Sequence, residues 1–290
     1  MSRIAYVNGR YLPQSEASVN IEDRGYQFAD GVYEVVHLYQ NRLIDTDRHM
    51  SRLERSLREI RLSPPMGRVA MLHVLREVAA RNRVREGILY MQITRGVARR
   101  DHAFPTNPVP PAMVVTVRRT ASYPTNVEKW AASAITHPDE RWARCDIKGV
   151  GLLANVLAKQ AARDAGAYEA ILIDKLGDVT EGSSTSVWIV DAQGVLRTRF
   201  LDNHILPGCT RDALTALLVT ETIAYSETSF TEAELRGARE IFVSSASSFV
   251  KPITRLDGAP VGDGAVGPVA RRLFDLFARH VKGDLSNVTV

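Results

Sequence analysis

Lys148 stands in Asp146-Ile147-Lys148-Gly149-Val150-Gly151-Leu152-Leu153-Ala154-Asn155, where the residues that follow the lysine are glycine or aliphatic. Only six of the 37 basic residues are lysines, so the surface positive charge is carried on arginine. An amine held in an apolar, glycine-lined stretch is disfavoured as a cation. Its pKa should fall, and it can then attack carbonyl compounds and form a Schiff base. A lysine whose stem packs on apolar surface while its head reaches water explains the same stretch equally well. Three later turns collect acids and donors. Asp178 to Ser186 offers Glu181 and leads into a strand-like run. Leu201 to Arg211 precedes a helix, whose first N–H groups and dipole suit a phosphate, although Thr210 serving only as the helix cap fits too. Ser244 to Ser248 follows a strand and could offer donors to an anion.

Gly149-Val150-Gly151-Leu152-Leu153-Ala154 also matches the dinucleotide pattern G-x-G-x-x-A, with Asp174 at the end of a strand about twenty residues on, the spacing of a ribose-binding acid. That fingerprint should follow a buried apolar strand, and here it follows the mostly polar Glu140 to Asp146. An NAD-dependent dehydrogenase is therefore the remote reading.

These residues need a scaffold, and 290 residues can form one large domain or two ordinary ones. Apolar content of 45% and charged content of 24% are those of a soluble globular protein. The two cysteines, Cys145 and Cys209, make neither a disulfide framework nor a metal knuckle, and no metal site is expected. The N-terminus reads as a strand and turn, not a signal peptide, and no run has the length of a membrane span. A cytoplasmic enzyme is expected. The net charge of +4 invites a nucleic-acid reading. Its arginines, however, sit largely on amphipathic helices such as Asp47 to Leu62, where Met50, Leu53, Leu57 and Ile60 mark the apolar face, and no aromatic-interleaved basic stripe appears.

Strand-like runs are Ile4 to Val7, Val32 to Tyr39, Gly87 to Thr94 and Ala112 to Arg118, and helices fit Asp47 to Leu62 and Arg68 to Arg83, kept apart by Pro64-Pro65. Further on, strands fit Trp130 to Thr136, Glu169 to Ile173, Ser186 to Val190 and Glu240 to Ser244, and helices fit Leu152 to Ala165, Arg211 to Val219, Thr231 to Gly237 and Val269 to Val281. Elements cluster by type, which predicts an α+β fold. Residues 121–128 are the expected linker between a small domain, 1–120, and a larger one, 129–290, that carries Lys148.

Six segments, in order, resemble the fold-type IV pyridoxal-phosphate enzymes, the class IV aminotransferases. They are Gly31-Val32-Tyr33-Glu34-Val35-Val36, His49-Met50-Ser51-Arg52-Leu53, Asp146-Ile147-Lys148, Asn155 to Gln160, Glu181-Gly182-Ser183-Ser184 and Leu206-Pro207-Gly208 with Thr210-Arg211. The resemblance implies a sandwich-like α/β N-terminal domain and a barrel-like α/β C-terminal domain. It implies that Lys148 forms the Schiff base and shuttles the proton, that Glu181 pairs with the pyridine nitrogen, and that Arg52 with the Cys209-Thr210 turn holds the cofactor phosphate. Where the family often has a phosphate-binding threonine this chain has Ala246, so Ser247 or main-chain donors take that contact.

Thr94 to Pro105 looks like the substrate loop of the D-amino-acid aminotransferases, in which an arginine and a histidine hold the α-carboxylate. Here these are Arg100 and His102, joined by the Tyr33 hydroxyl, with Ser184 as a further substrate contact. In the family the pair is donated across a subunit interface, so a homodimer is implied. Leu153 stands where branched-chain enzymes usually have a tyrosine, and neither they nor amine transaminases use such a trap. The expectation is ping-pong transfer from a D-amino acid such as D-alanine or D-glutamate to a 2-oxo acid. A branched-chain L-amino-acid aminotransferase or an aminodeoxychorismate lyase are the alternatives within the fold.

Overall fold

The structure, a computed structural model, describes residues 3–284. The chain forms two compact units, Met1–Ser122 with Ile147–Gly151, and Tyr123–Asp146 with Leu152–Val290.

The first unit runs β1 (Ile4–Val7), β2 (Arg10–Pro13), α1 (Arg24–Phe28), β3 (Gly31–Tyr39), β4 (Arg42–Leu43), α2 (Thr46–Glu59), α3 (Arg68–Arg81), β5 (Gly87–Thr94) and β6 (Ala112–Arg119). Its six strands pair antiparallel in the order β2-β1-β6-β5-β3-β4. Because strand side chains alternate, Val32, Val36 and Leu38 join Leu89, Met91, Met113 and Val115 in one core with Met50, Leu53 and Leu57 of α2 and Leu75 and Val78 of α3. The helical spacing read from Asp47 to Leu62 thus marks the buried stripe, and α2 stops at Glu59, ahead of the two prolines.

The second unit runs α4 (Val127–Trp130), β7 (Ala132–Pro138), α5 (Leu153–Asp164), β8 (Glu169–Ile173), β9 (Val179–Gly182), β10 (Ser186–Val190), β11 (Leu196–Thr198), α6 (Cys209–Thr220), β12 (Tyr225–Glu227), α7 (Glu232–Arg236), β13 (Glu240–Ser245), β14 (Phe249–Leu256), β15 (Ala259–Pro260) and α8 (Pro268–Lys282). Its mixed sheet has the order β12-β11-β10-β13-β14-β7-β8-β9, with β15 on β14. Strands β8 and β10 are buried along their whole length, which is why each, after a polar first residue, reads as an apolar run rather than an alternating one.

The α+β class with two sheets stands as expected. Several details differ from the sequence reading. Val179–Gly182 is a strand, not part of a turn, and α1, β2 and β14 were not foreseen. Residues 121–128 are only partly a linker. Tyr123 is buried and its hydroxyl donates to the Phe274 carbonyl at 3.0 Å, while the Asn126 side chain caps α4 by accepting from Lys129 N at 2.8 Å. Ile147–Gly151, expected with the larger domain, lies with the first unit.

Candidate active site

The reason Lys148 joins the first unit is a short ladder. Tyr33 N donates to the Lys148 carbonyl at 3.0 Å, Val150 N donates to Gly31 O at 3.1 Å, and Gly149 bridges Val32. Lys148 N adds a longer bond to the buried Ser56 Oγ, 3.3 Å. The segment so fixed runs along the edge of β3, and the half-buried Lys148 Nζ stands 4.2 Å from the centroid of the Tyr33 ring. This geometry removes the dinucleotide reading. No strand precedes Gly149, since β7 ends at Pro138, and Asp174 already accepts from Leu176 N and Asp178 N in its own turn.

Arg52, on α2, is buried against Glu34 of β3. Its Nε donates to Glu34 Oε1 at 2.8 Å and its Nη2 to Oε2 at 2.7 Å, and His49 Nδ1 lies 2.7 Å from Oε2. Burial alone would push the Glu34 carboxyl up. The Arg52 charge, then the hydrogen bonds of Arg52 and His49, outweigh it and hold the group well below the usual carboxylate range. A carboxylate on the core side of β3 between Val32 and Val36 is thus there to fix a guanidinium.

Arg100 and His102 lie on an exposed loop beyond β5. The Arg100 guanidinium is 4.9 Å from the Phe28 ring centroid and the His102 ring is 5.4 Å from it, so the pair gathers about one aromatic side chain.

In the second unit, Glu181 lies in β9, one residue before its end, and is buried. Its Oε1 accepts from Leu206 N at 3.1 Å and from the Arg141 guanidinium. Arg141 in turn donates through Nε and Nη2 to Asp139, at 2.9 and 2.7 Å, and Thr180 Oγ1 donates to Asp139 at 2.6 Å. Burial disfavours the Arg141 cation, but Asp139 and Glu181 outweigh it and raise its pKa, so the charge opposite Glu181 is permanent. Cys145, near this set, is inert: burial first, then Glu181 and Asp139, push its thiol up to about 12 against the pull of Arg141.

Cys209 and Thr210 are the first two residues of α6, whose N-cap is Gly208, with no side-chain hydrogen bond. Thr210 is therefore inside the helix and is not its cap. Glycine at the N-cap offers no side chain, so the opening turn is left without a side-chain capping acceptor. Such a helix start fits a phosphate. Ser184 is exposed and donates to Glu169 Oε2 at 3.2 Å, and Ser247 is exposed with Ser245 Oγ 3.4 Å away.

Four groups carry these candidates without having been singled out from sequence: Glu34, Arg141 with Asp139, Glu169 and Arg24. Glu169, fully buried, gathers the hydroxyls of Ser183, Ser184 and Thr185 and the Ala170 N–H, which fixes the turn next to Glu181. The sequence signal for Glu34 and Glu169 is an acid inside an apolar strand pattern. Arg141 and Arg24 carried none, being two of many arginines.

Comparison with known proteins agrees along most of the chain. The family model for amino-transferase class IV matches residues 31–256. A D-alanine aminotransferase of Staphylococcus aureus (strain MSSA476) is 40% identical over 280 residues, 96% of this chain and 97% of the relative. One from Bacillus licheniformis is 40% identical over 266 residues, 92% and 93% of the two chains. Among solved structures, a branched-chain amino acid aminotransferase of T.th. with pyridoxamine 5'-phosphate superposes with a TM-score of 0.86 at 26% identity, over 99% of this chain and 96% of that one. The Escherichia coli branched-chain enzyme, at 22% identity and a TM-score of 0.89 over 99% and 97%, shares the fold.

Proposed function

The chain belongs to the class IV aminotransferases, and on that premise we propose that it moves the amino group of a D-amino acid to a 2-oxo acid with bound pyridoxal 5'-phosphate. The observation that carries this reading is the fixing of Lys148: its main chain is laddered to β3 and its amine is held over Tyr33. The D-alanine aminotransferases at 40% identity support the substrate class.

When bound, the cofactor supplies an electron sink for the carbanion at the substrate Cα. The remaining work falls to the chain. Lys148 would hold the cofactor through its amine and would move the proton between the substrate Cα and the cofactor C4′. Glu181, backed by the permanent charge of Arg141, would face the pyridine nitrogen and favour its protonated form. Arg52, oriented by Glu34, and the opening turn of α6 at Cys209 and Thr210 bind the phosphate, with Ser247 in the place of the family's threonine. Arg100, His102 and the Tyr33 hydroxyl hold the α-carboxylate, and Ser184 contacts substrate. A homodimer and a cytoplasmic location belong to the proposal. Among the described residues no helix is long and apolar enough to cross a membrane.

The test is pyruvate release by the purified protein from D-alanine and from L-alanine, each with 2-oxoglutarate. Turnover of D-alanine that vanishes in Lys148→Ala is expected. Turnover of L-branched-chain amino acids alone would move the assignment to the substrate named for the solved relatives. Pyruvate formed from aminodeoxychorismate without amino transfer would make it a lyase.

A further inference from the structure

Arg24 is only 2% exposed, a costly place for a charge unless its donors are all used. Nε donates to Asp30 Oδ2 at 2.8 Å, Nη1 to the Asp101 carbonyl at 2.6 Å and Nη2, more weakly, to the His102 carbonyl at 3.4 Å. It thus grips the main chain of the loop that carries Arg100 and His102. Asp30 is shared with Arg95, whose Nε and Nη2 lie 2.7 and 2.9 Å away. Arg95 also donates to the carbonyls of Ile60, at 2.7 Å, and Arg61, at 3.2 Å, where α2 ends. A chain of charge-assisted bonds therefore runs from the end of α2 to the loop.

Phe28 lies one helical turn after Arg24, and its ring is 4.8 Å from that guanidinium. It is also the ring about which Arg100 and His102 gather. Between Ala98 and Pro111 the chain forms no regular secondary structure and residues 99–104 are exposed. Held only by its own proline-rich sequence, such a loop would sample many conformations. Arg24 fixes its backbone and Phe28 supplies the surface against which its two side chains settle.

We propose that Arg24 and Phe28 are positioning residues for recognition of the α-carboxylate: through Arg100 and His102 they set how strongly the enzyme prefers a substrate that carries one. The inference rests on the reading that Arg100 and His102 bind that carboxylate. Arg24 and Phe28 act through the loop that bears Arg100 and His102, so their loss should be selective. In Arg24→Lys and Phe28→Leu holoenzyme, KM for D-alanine should rise about 10- to 100-fold with the rate at saturation retained, the scale of an ångström-sized misplacement. D-alaninol, which has a hydroxymethyl group in place of the carboxylate, should react as it does with the parent protein.

The experiment follows the visible cofactor band during single half-reactions with D-alanine and with D-alaninol. A fall in the D-alanine to D-alaninol preference in both variants supports the inference. Equal losses for the two substrates, or no loss in protein of unchanged melting temperature, would overturn it. Should Arg24→Lys fail to fold, Phe28→Leu carries the test, because its ring is only half-buried. Arg100→Ala in the same assay separates the two levels. If Arg100→Ala leaves the preference unmoved, the carboxylate reading itself fails. If it lowers the preference while Arg24→Lys and Phe28→Leu do not, the positioning inference alone fails.

Discussion

The Glu34 set of the first unit and the Glu181 set of the second contain the same chemical groups in opposite roles. Around Glu34, the carboxylate is the fixture and Arg52 is the group proposed to meet the cofactor, with His49 as the second partner. Around Glu181, the arginine is the fixture, itself locked by Asp139, and the carboxylate is proposed to act. A buried ion pair adds little net stability compared with a well-packed apolar pair, but losing one partner strands the other. Its use here is to fix the protonation and direction of one member. Which member acts follows from what must be met: a phosphate calls for a fork of donors, a ring nitrogen for a single fixed negative charge.

Substitutions can break this symmetry of roles. Glu181→Gln keeps the shape and removes the charge, so the rate at saturation in the D-alanine half-reaction should fall by about 10²- to 10⁴-fold, with cofactor still bound. Stopped-flow absorbance reads it, and an unchanged rate would remove Glu181 from the mechanism. Removal of the fixtures should be felt in folding. Glu34→Ala and Arg141→Ala should each cost about 3–5 kcal/mol in urea unfolding, since each leaves a buried charge without its main partner. A smaller effect follows from Arg52→Lys, which keeps the charge and loses the fork: loss of one charge-assisted bond, about 1.5–3 kcal/mol, should appear as weaker cofactor binding in titration with the turnover of the loaded enzyme retained.

The gentlest contrast is with pH. In the first unit, burial holds the His37 imidazole down to about 4 against the raising influence of Glu86 and Asp45. The unfolded chain takes up that proton first, so stability should decline as pH falls from 6.5 to 4, by no more than about 1.4 kcal/mol per pH unit. In the second unit, burial first and then Lys159 hold the Lys251 amine down to about 8. There the folded protein sheds a proton that the unfolded chain keeps, so stability should rise between pH 8 and 10.5. Melting curves of His37→Leu and Lys251→Met, each expected to lose its own slope and keep the other, check both signs.

Much of the scaffold was legible because its elements follow simple periods. β5, β8 and β10 have the bounds their β-branched runs suggest, and α3 starts where its sequence pattern does. The five-residue helix α1 was not, since too few residues show a period, and β9 was hidden by Gly182 and the serines after it. In the candidate site, groups tied to short local patterns such as Glu181 and Thr210 could be picked out. Their fixtures could not, because Asp139 and Arg141 lie 40 residues or so before Glu181 and join it only through the sheet. The partners of Lys148 are hidden for a like reason: its stretch reads as a loop ahead of α5, and its partners on β3 lie far back in the chain.

That ladder also has a bearing on how the protein is made. The start of β3 is not covered by β4, which pairs only with its end at Leu38 and Tyr39, and receives its neighbour from Gly149 and Val150. During synthesis the first sheet thus emerges with a bare stretch of edge, and stays so until the ribosome has released the segment beyond Lys148. Exposed edges of this kind recruit strands from other chains. A fragment ending at Ser122 should therefore self-associate, and a mutation that spoils the fit of Gly149 should betray itself to chaperones and proteases before it is ever assayed as a slow enzyme.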